Sequence, residues 1–275
     1  MNTKLRRGLR LVRVLLSSQY AYMLEYRAEI ALWALSGVLP FIMLGLWSGA
    51  SGADASNATA ELTPLGLDPI ALARYFLAVF IVRQFTLVWV IYTFEEDHLQ
   101  GRLSGYLLQP LAPVWRYVSA HIAEQATRLP FVIALAALFF LLYPAAFWLP
   151  SPAALLLAVL AMQLAFALRF LIQFALTTVC FWSERASALE RLLFIPYLYL
   201  SGLIAPLHLY PEPVRRLALW TPFPYMIAIP AQLLAGEEVD VVASFAVVGC
   251  WIAILLPLTL FLWRRGLRKY GAMGA

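Results

Sequence analysis

Residues 129–168 carry no charged side chain over 40 consecutive positions. As a single helix this stretch would be about 60 Å long, twice the roughly 30 Å hydrocarbon core of a bilayer. Pro144, Pro150 and Pro152 interrupt it, and proline removes a helical donor and clashes with the preceding turn. Two apolar helices joined by a tight turn near 144–152 satisfy both facts. In lipid every backbone polar group must be satisfied internally, which leaves helices or a closed barrel. Apolar runs of this length favour helices.

The rest of the chain agrees. Hydrophobic residues make up 63% of the 275 positions and charged ones only 13%, with a mean hydropathy of +0.80. A soluble domain carries roughly a quarter charged residues, so this chain lacks the polar skin that water would require. The nine Trp and 13 Tyr suit membrane interfaces. The net charge of +5 does not indicate nucleic acid, because the basic residues fall at helix ends rather than in one patch. Cys180 and Cys250 lie inside apolar runs, with no metal-ligand spacing. The basic N-terminus is not followed by a short apolar segment and cleavage site, so no cleavable signal is expected.

Hydropathy and breaker residues predict an all-α polytopic membrane protein, a single domain over 1–275 with six transmembrane helices. The spans are placed at about 28–48, 74–94, 117–143, 153–182, 192–207 and 241–263. Pro40 is a kink site in the first. Before it, residues 3–20 repeat Leu5, Leu9, Val12 and Leu16 on one face and Arg6, Arg10 and Arg13 on another, the pattern of an amphipathic helix on a membrane surface or against a partner. Residues 49–72 form a polar loop with Asp54, Glu61 and Asp68. At 95–116 a charged opening, Glu95, Glu96 and Asp97, precedes a stripe of Leu103, Leu107 and Leu108, closed by Pro110 and Pro113. This predicts a short amphipathic helix at about 96–110. The uncharged stretch 217–236 is long enough to be a seventh span, but Pro222, Pro224 and Pro230 break it. A re-entrant outer hairpin over about 209–236, shielded by protein, fits better.

Charge asymmetry sets the orientation. With the N-terminus inside, 14 of the 20 basic residues fall in cytoplasmic segments, including Arg102, Arg116, Arg185 and Arg191 and the tail Arg264, Arg265, Arg268 and Lys269. Only Arg74, Arg215 and Arg216 fall outside. A seventh span would invert the tail. Both termini are therefore expected in the cytoplasm.

Reactive chemistry is sparse. No G-x-x-x-x-G-K-[ST] phosphate loop occurs. Glu95-Glu96 lacks the arginine and the His-x-x-x-Asn partner of the intramembrane metalloproteases that carry paired glutamates. His98, His121 and His208 are isolated. What stands out is polarity inside spans, where charges face protein or water. Glu124 and Arg128 have the i,i+4 spacing of a structural ion pair. Arg83, Gln84, Gln163, Arg169 and Gln173 are candidates for a polar pathway. Arg83 and Arg169 have no acid predicted at their depth. Two readings stand for them: they meet anionic substrate groups, or they are satisfied by carbonyls, by Gln84 and Gln173, or by a partner subunit.

Taken in order, these features resemble the permease subunits of type-2 ATP-binding-cassette (ABC-2) transporters, in the bacterial branch of uncharacterised substrate. The basic segment 3–20 is similar to the family's interface helix. The motif E-x5-G-R-L-x3-L-L-x-P-L from Glu95 is similar to the loop after the second span that forms the coupling helix. Phe181-Trp182 with Glu184-Arg185 resembles the end of the fourth span. Ser201-Gly202, Pro206-Leu207, Pro211, Pro222-Phe223 and Pro230 with Leu233, Leu234 and Gly236 resemble the outer hairpin. The resemblance implies two permeases, identical or homologous, forming the pathway in a bacterial inner membrane. It implies separate ATPase subunits binding ATP and Mg below, with no cofactor in this chain, and an exporter. It assigns ATPase coupling to Glu95, Glu96, Asp97, Gly101, Arg102, Leu103, Leu107 and Leu108. A secondary transporter would show repeats and mid-membrane acids, and neither is found. A membrane enzyme or a scaffold subunit is the other alternative.

Overall fold

The computed structural model describes residues 3–50, 68–183 and 185–273. Most of the predicted acidic loop at 49–72, with Asp54 and Glu61, lies outside these residues, as does Glu184. Among the described residues the chain is helical and contains no strand. In order, the helices are α1 (Thr3–Glu25), α2 (Arg27–Ser36), α3 (Leu39–Ala50), α4 (Pro69–Thr86), α5 (Val90–Leu99), α6 (Arg102–Leu107), α7 (Pro113–Leu142), α8 (Pro152–Thr177), α9 (Ser187–Leu200), α10 (Glu212–Leu219), α11 (Ala228–Ala235) and α12 (Val241–Met273).

Local chemistry explains several starts. Asp68 accepts a hydrogen bond from the Ile70 amide at 2.8 Å and Pro69 opens α4; Ser151 accepts from Ala154 at 3.2 Å and Pro152 opens α8. A side-chain oxygen at the cap and a proline in the first turn suit a helix N-terminus. Prolines that end one span thus begin the next.

Five stretches are long and apolar enough to cross a membrane: Arg27–Gly49, Pro69–Leu99, Pro113–Leu142, Pro152–Phe181 and Val241–Tyr270. They match five of the predicted spans. The remaining one, predicted at 192–207, differs. Its helix, α9, has 14 residues and ends at Leu200, giving about 21 Å at 1.5 Å per residue. The chain turns at Gly202, whose φ is +85°. An added Cβ there would lie 2.6 Å from the Tyr75 hydroxyl, so only glycine fits. The Ala186 and Ser187 amides at the start of α9 donate to Glu95, and Tyr75 donates to the Gly202 carbonyl. Tyr75 and Glu95 sit toward opposite ends of Pro69–Leu99. The short helix and its turn therefore run antiparallel to most of that span.

The core centres on α4, which packs against α3, α7, α8 and α11 and buries Tyr75, Phe76 and Phe80. Of the predicted outer hairpin, α10 is largely exposed, whereas α11 inserts between α4 and α8 with Ile229, Ala231, Leu233 and Leu234 buried. Trp148 donates to the Leu234 carbonyl at 3.1 Å. α11 is thus covered by protein on both sides. A second cluster, with Phe94, Leu103, Phe174 and Phe181, fills the opposite end of the bundle. The predicted interface helix extends to Glu25 and packs along α7. Arg10 and Arg13 are exposed; the Arg6 side chain lies outside the described residues.

Candidate functional site

Two polar regions emerge, joined by α5. The first is the charged loop. The predicted coupling helix at 96–110 is not one helix. The Gly101 backbone at φ +72° turns the chain between the end of α5 and the six-residue α6, a left-handed conformation suited to glycine. Asp97 is buried and accepts from Arg102 Nε at 2.6 Å and from the Tyr117 hydroxyl at 2.8 Å. Arg102 also pairs with Glu96 at 3.2 Å and donates to the Gln100 side chain. Hydrogen bonds to Asp97 and then Glu96 raise its pKa further. The bend is thus fixed to α7 by charge-assisted contacts.

Besides Asp97, two residues assigned to coupling face the protein interior. Glu95 accepts from the amides of Ala186 and Ser187 at 2.8 Å each and from the Ser187 hydroxyl at 3.1 Å. It caps the start of α9, where orphan amides and the helix dipole favour an anion. Leu103 is fully buried against Phe94 and Phe181. Leu107 is half-buried on the same cluster, and Leu108 is 88% exposed. The outward edge therefore includes Glu96, Leu99, Gln100, Gly101, Arg102 and Leu108. Leu99, 54% exposed, was not among the predicted residues.

The second region lies at mid-span. α4 stops at Thr86 and α5 begins at Val90, with Leu87 extended between them. No proline or glycine marks this break. Side chains of α7 satisfy the freed backbone: Gln125 donates to the Phe85 carbonyl at 2.6 Å, Arg128 to the Gln84 carbonyl at 3.3 Å, and the Trp89 amide donates to His121 Nε2 at 3.1 Å. The predicted Glu124–Arg128 ion pair is present and buried, and Trp89 Nε1 donates to Glu124 at 2.6 Å. A helix can be interrupted at membrane depth only where protein replaces its lost bonds. The polar face of α7 serves that purpose.

The five pathway candidates separate. Gln84 donates to the Ala34 carbonyl at 3.1 Å, satisfying the break between α2 and α3. Arg169 is buried, donates to the Tyr197 hydroxyl at 2.8 Å and lies over its ring. Gln173 donates to Glu190 at 2.7 Å. Glu190 overturns the expectation that no acid reaches this depth: it shares with Arg169, Gln173 and Tyr197 a cavity of about 20 Å³, room for one water. The sequence placed Glu190 in a charged turn, because nothing there signals that α9 begins at Ser187. Among the described residues Arg83 Nη1 is buried without a partner. Gln163 is exposed, with one long hydrogen bond to Gln125.

A family model described as an ABC-2 family transporter protein matches residues 69–274, about three quarters of the chain. The chain belongs to the ABC-2 transporter family. No curated protein matches it. This ABC-2 permease is a multi-pass membrane component of an ABC transporter. The matched region runs from the start of α4 into the C-terminal end of α12, so both polar regions belong to the part the family shares. α1, α2 and α3 lie before it.

Proposed function

We propose that this permease pairs with a second permease, identical or homologous, to form an export pathway driven by separate ATPase subunits. ATP and Mg are bound by those subunits, since this chain has no phosphate loop. The ATPase docks on the edge that includes Glu96, Leu99, Gln100 and Leu108. One observation carries this reading: beside the contacts of Asp97 with Arg102 and Tyr117, Leu108 is left 88% exposed on a braced loop. A large apolar side chain held in the open beside charges suits a protein cleft. The excess of basic residues on that side of the chain supports a cytoplasmic location for this loop and both termini, and an inner-membrane setting.

α5 links the two polar regions. Its C-terminal end carries Glu95 and Asp97, and its N-terminal end leaves the mid-span break. A push on the loop reaches that break through ten residues of helix, about 15 Å. Arg83, with its unpartnered donor, is the candidate to meet an anionic part of the substrate when the bundle opens. Export as the direction is supported by the family resemblance.

Coexpression with the cognate ATPase tests the docking edge. Leu108→Asp is expected to lower copurification by about tenfold, roughly 1.4 kcal/mol, with folding unchanged. Unaltered copurification and coupled ATP hydrolysis would overturn this assignment.

A further inference from the structure

The C-terminal end of the last helix carries a cluster of exposed basic side chains. The basic residues sit in the last turns of the membrane-length stretch Val241–Tyr270 of α12. Arg265, Arg268 and Lys269 fall at i, i+3 and i+4, one face of the helix. Phe261 and Leu262 extend that face one turn back toward the apolar part. Across from it stand Thr178, Val179 and Trp182, just beyond α8, and between the two walls lies a groove of about 560 Å³. The walls are held in place. Phe181 packs against Gly266, where any side chain would collide with its ring. Trp263 and Tyr270 meet the same ring edge-on at 5.5 and 5.9 Å. Arg265 lies over Phe261 at 5.1 Å. Among the described residues none of the three cations forms an ion pair.

We propose that this groove binds an anionic phospholipid, its phosphate among Arg265, Arg268 and Lys269 and an acyl chain along Phe261 and Val179. The argument rests on the groove having two chemistries in sequence. A basic pocket between helix ends at the membrane surface matches an anionic headgroup. The apolar turn beside it continues the lipid-facing side of α12, and Trp182, 44% exposed, sits where indole rings favour the interface. A soluble anion would satisfy the cations and leave Phe261 and Val179 uncovered. A zwitterionic lipid would bring a compensating positive charge. Only an anionic lipid fills both halves.

The test uses the full chain, delipidated in detergent and offered an equal mixture of phosphatidylglycerol and phosphatidylcholine, with bound lipid counted by native mass spectrometry. The unmodified protein is expected to retain phosphatidylglycerol in preference by about tenfold. The combined variant Arg265→Gln, Arg268→Gln, Lys269→Gln is expected to lose that preference, and the control pair Arg215→Gln, Arg216→Gln on the exposed α10 to keep it. Excess inorganic phosphate is expected not to displace the lipid. Equal retention of the two lipids by the unmodified protein overturns the proposal. So does a preference that survives the triple variant, or one that falls equally in the control, since that marks diffuse surface charge. Complete displacement by inorganic phosphate assigns the groove to a soluble anion instead. Should the triple variant not accumulate, Arg268→Glu alone takes its place, with the same outcomes deciding.

Discussion

Replacing Arg128 by Met should destabilise the bundle more than any surface change, and the cost can be worked from its contacts. Arg128 is 3% exposed and Glu124 8%. The substitution fills the volume but removes the ion pair, leaving the Glu124 carboxylate with Trp89 as its hydrogen-bond donor. It also takes the side-chain donor away from the Gln84 carbonyl at the end of α4. Removing one partner of a buried pair costs about 3–5 kcal/mol, and an orphaned buried carbonyl about 1–3. The two overlap, so about 3–5 kcal/mol is the expected total. At roughly 2–4 °C per kcal/mol for a large domain, thermal unfolding followed by tryptophan fluorescence in detergent should shift down by roughly 10 °C. Glu124→Gln should cost a similar amount by stranding the guanidinium. The double variant should be no worse than the poorer single one, because no lone charge is left, giving a coupling energy of about 2 kcal/mol or more. Single costs below about 1 kcal/mol that simply add would refute the claim that this pair is buried and holds the helix break.

Glu95→Ala should cost about 1 kcal/mol, the usual loss for an N-terminal cap, read as a lower unfolding temperature with the ATPase-binding edge intact. Leu103→Asp should prevent accumulation of folded protein, because the carboxylate would enter the Phe94–Phe181 cluster, whereas Leu108→Asp should accumulate normally; equal yields of the two would show that α6 is rotated from the arrangement described. Gly202→Ala should lower the unfolding temperature measurably, since both the positive φ and the close approach of Tyr75 oppose a side chain. Arg83→Gln should leave folding intact and reduce transport of an anionic substrate in vesicles, and undiminished transport would remove Arg83 from the pathway.

What the sequence made legible follows from how strong each local signal is. Long apolar runs bounded by proline placed the spans that begin at Pro113 and Pro152, because lipid leaves few alternatives. The ion pair at 124 and 128 was readable from helical spacing alone. The break at 87–89 was not, because no proline or glycine causes it; the compensating donors come from α7, more than 30 positions away. The end of α9 was missed for a related reason. Gly202 is demanded by Tyr75 and Ala228, contacts that only the fold brings together. Within the loop, periodicity grouped Leu103 with Leu107 and Leu108. The turn at Gly101 starts a new helix there and sends Leu103 inward, so a stripe counted as one face is divided between core and surface.

The same reasoning changes what the polar residues inside the spans mean. Read singly, each buried Arg or Gln suggests a substrate contact. Read against the backbone, Gln84, Gln125, His121 and Arg128 each supply a hydrogen bond that a broken helix lacks. Arg169 and Gln173 are likewise engaged, with Tyr197 and Glu190. Among the described residues Arg83 Nη1 is a buried donor without a partner, as is Arg128 Nε, whose other nitrogens are engaged. A bundle that places Gln84, His121, Gln125 and Arg128 against two interrupted helices is built to hold those interruptions. α5, clamped at the loop by Asp97 and Glu95 and at mid-span through Trp89, is the element that a force on the loop would move first.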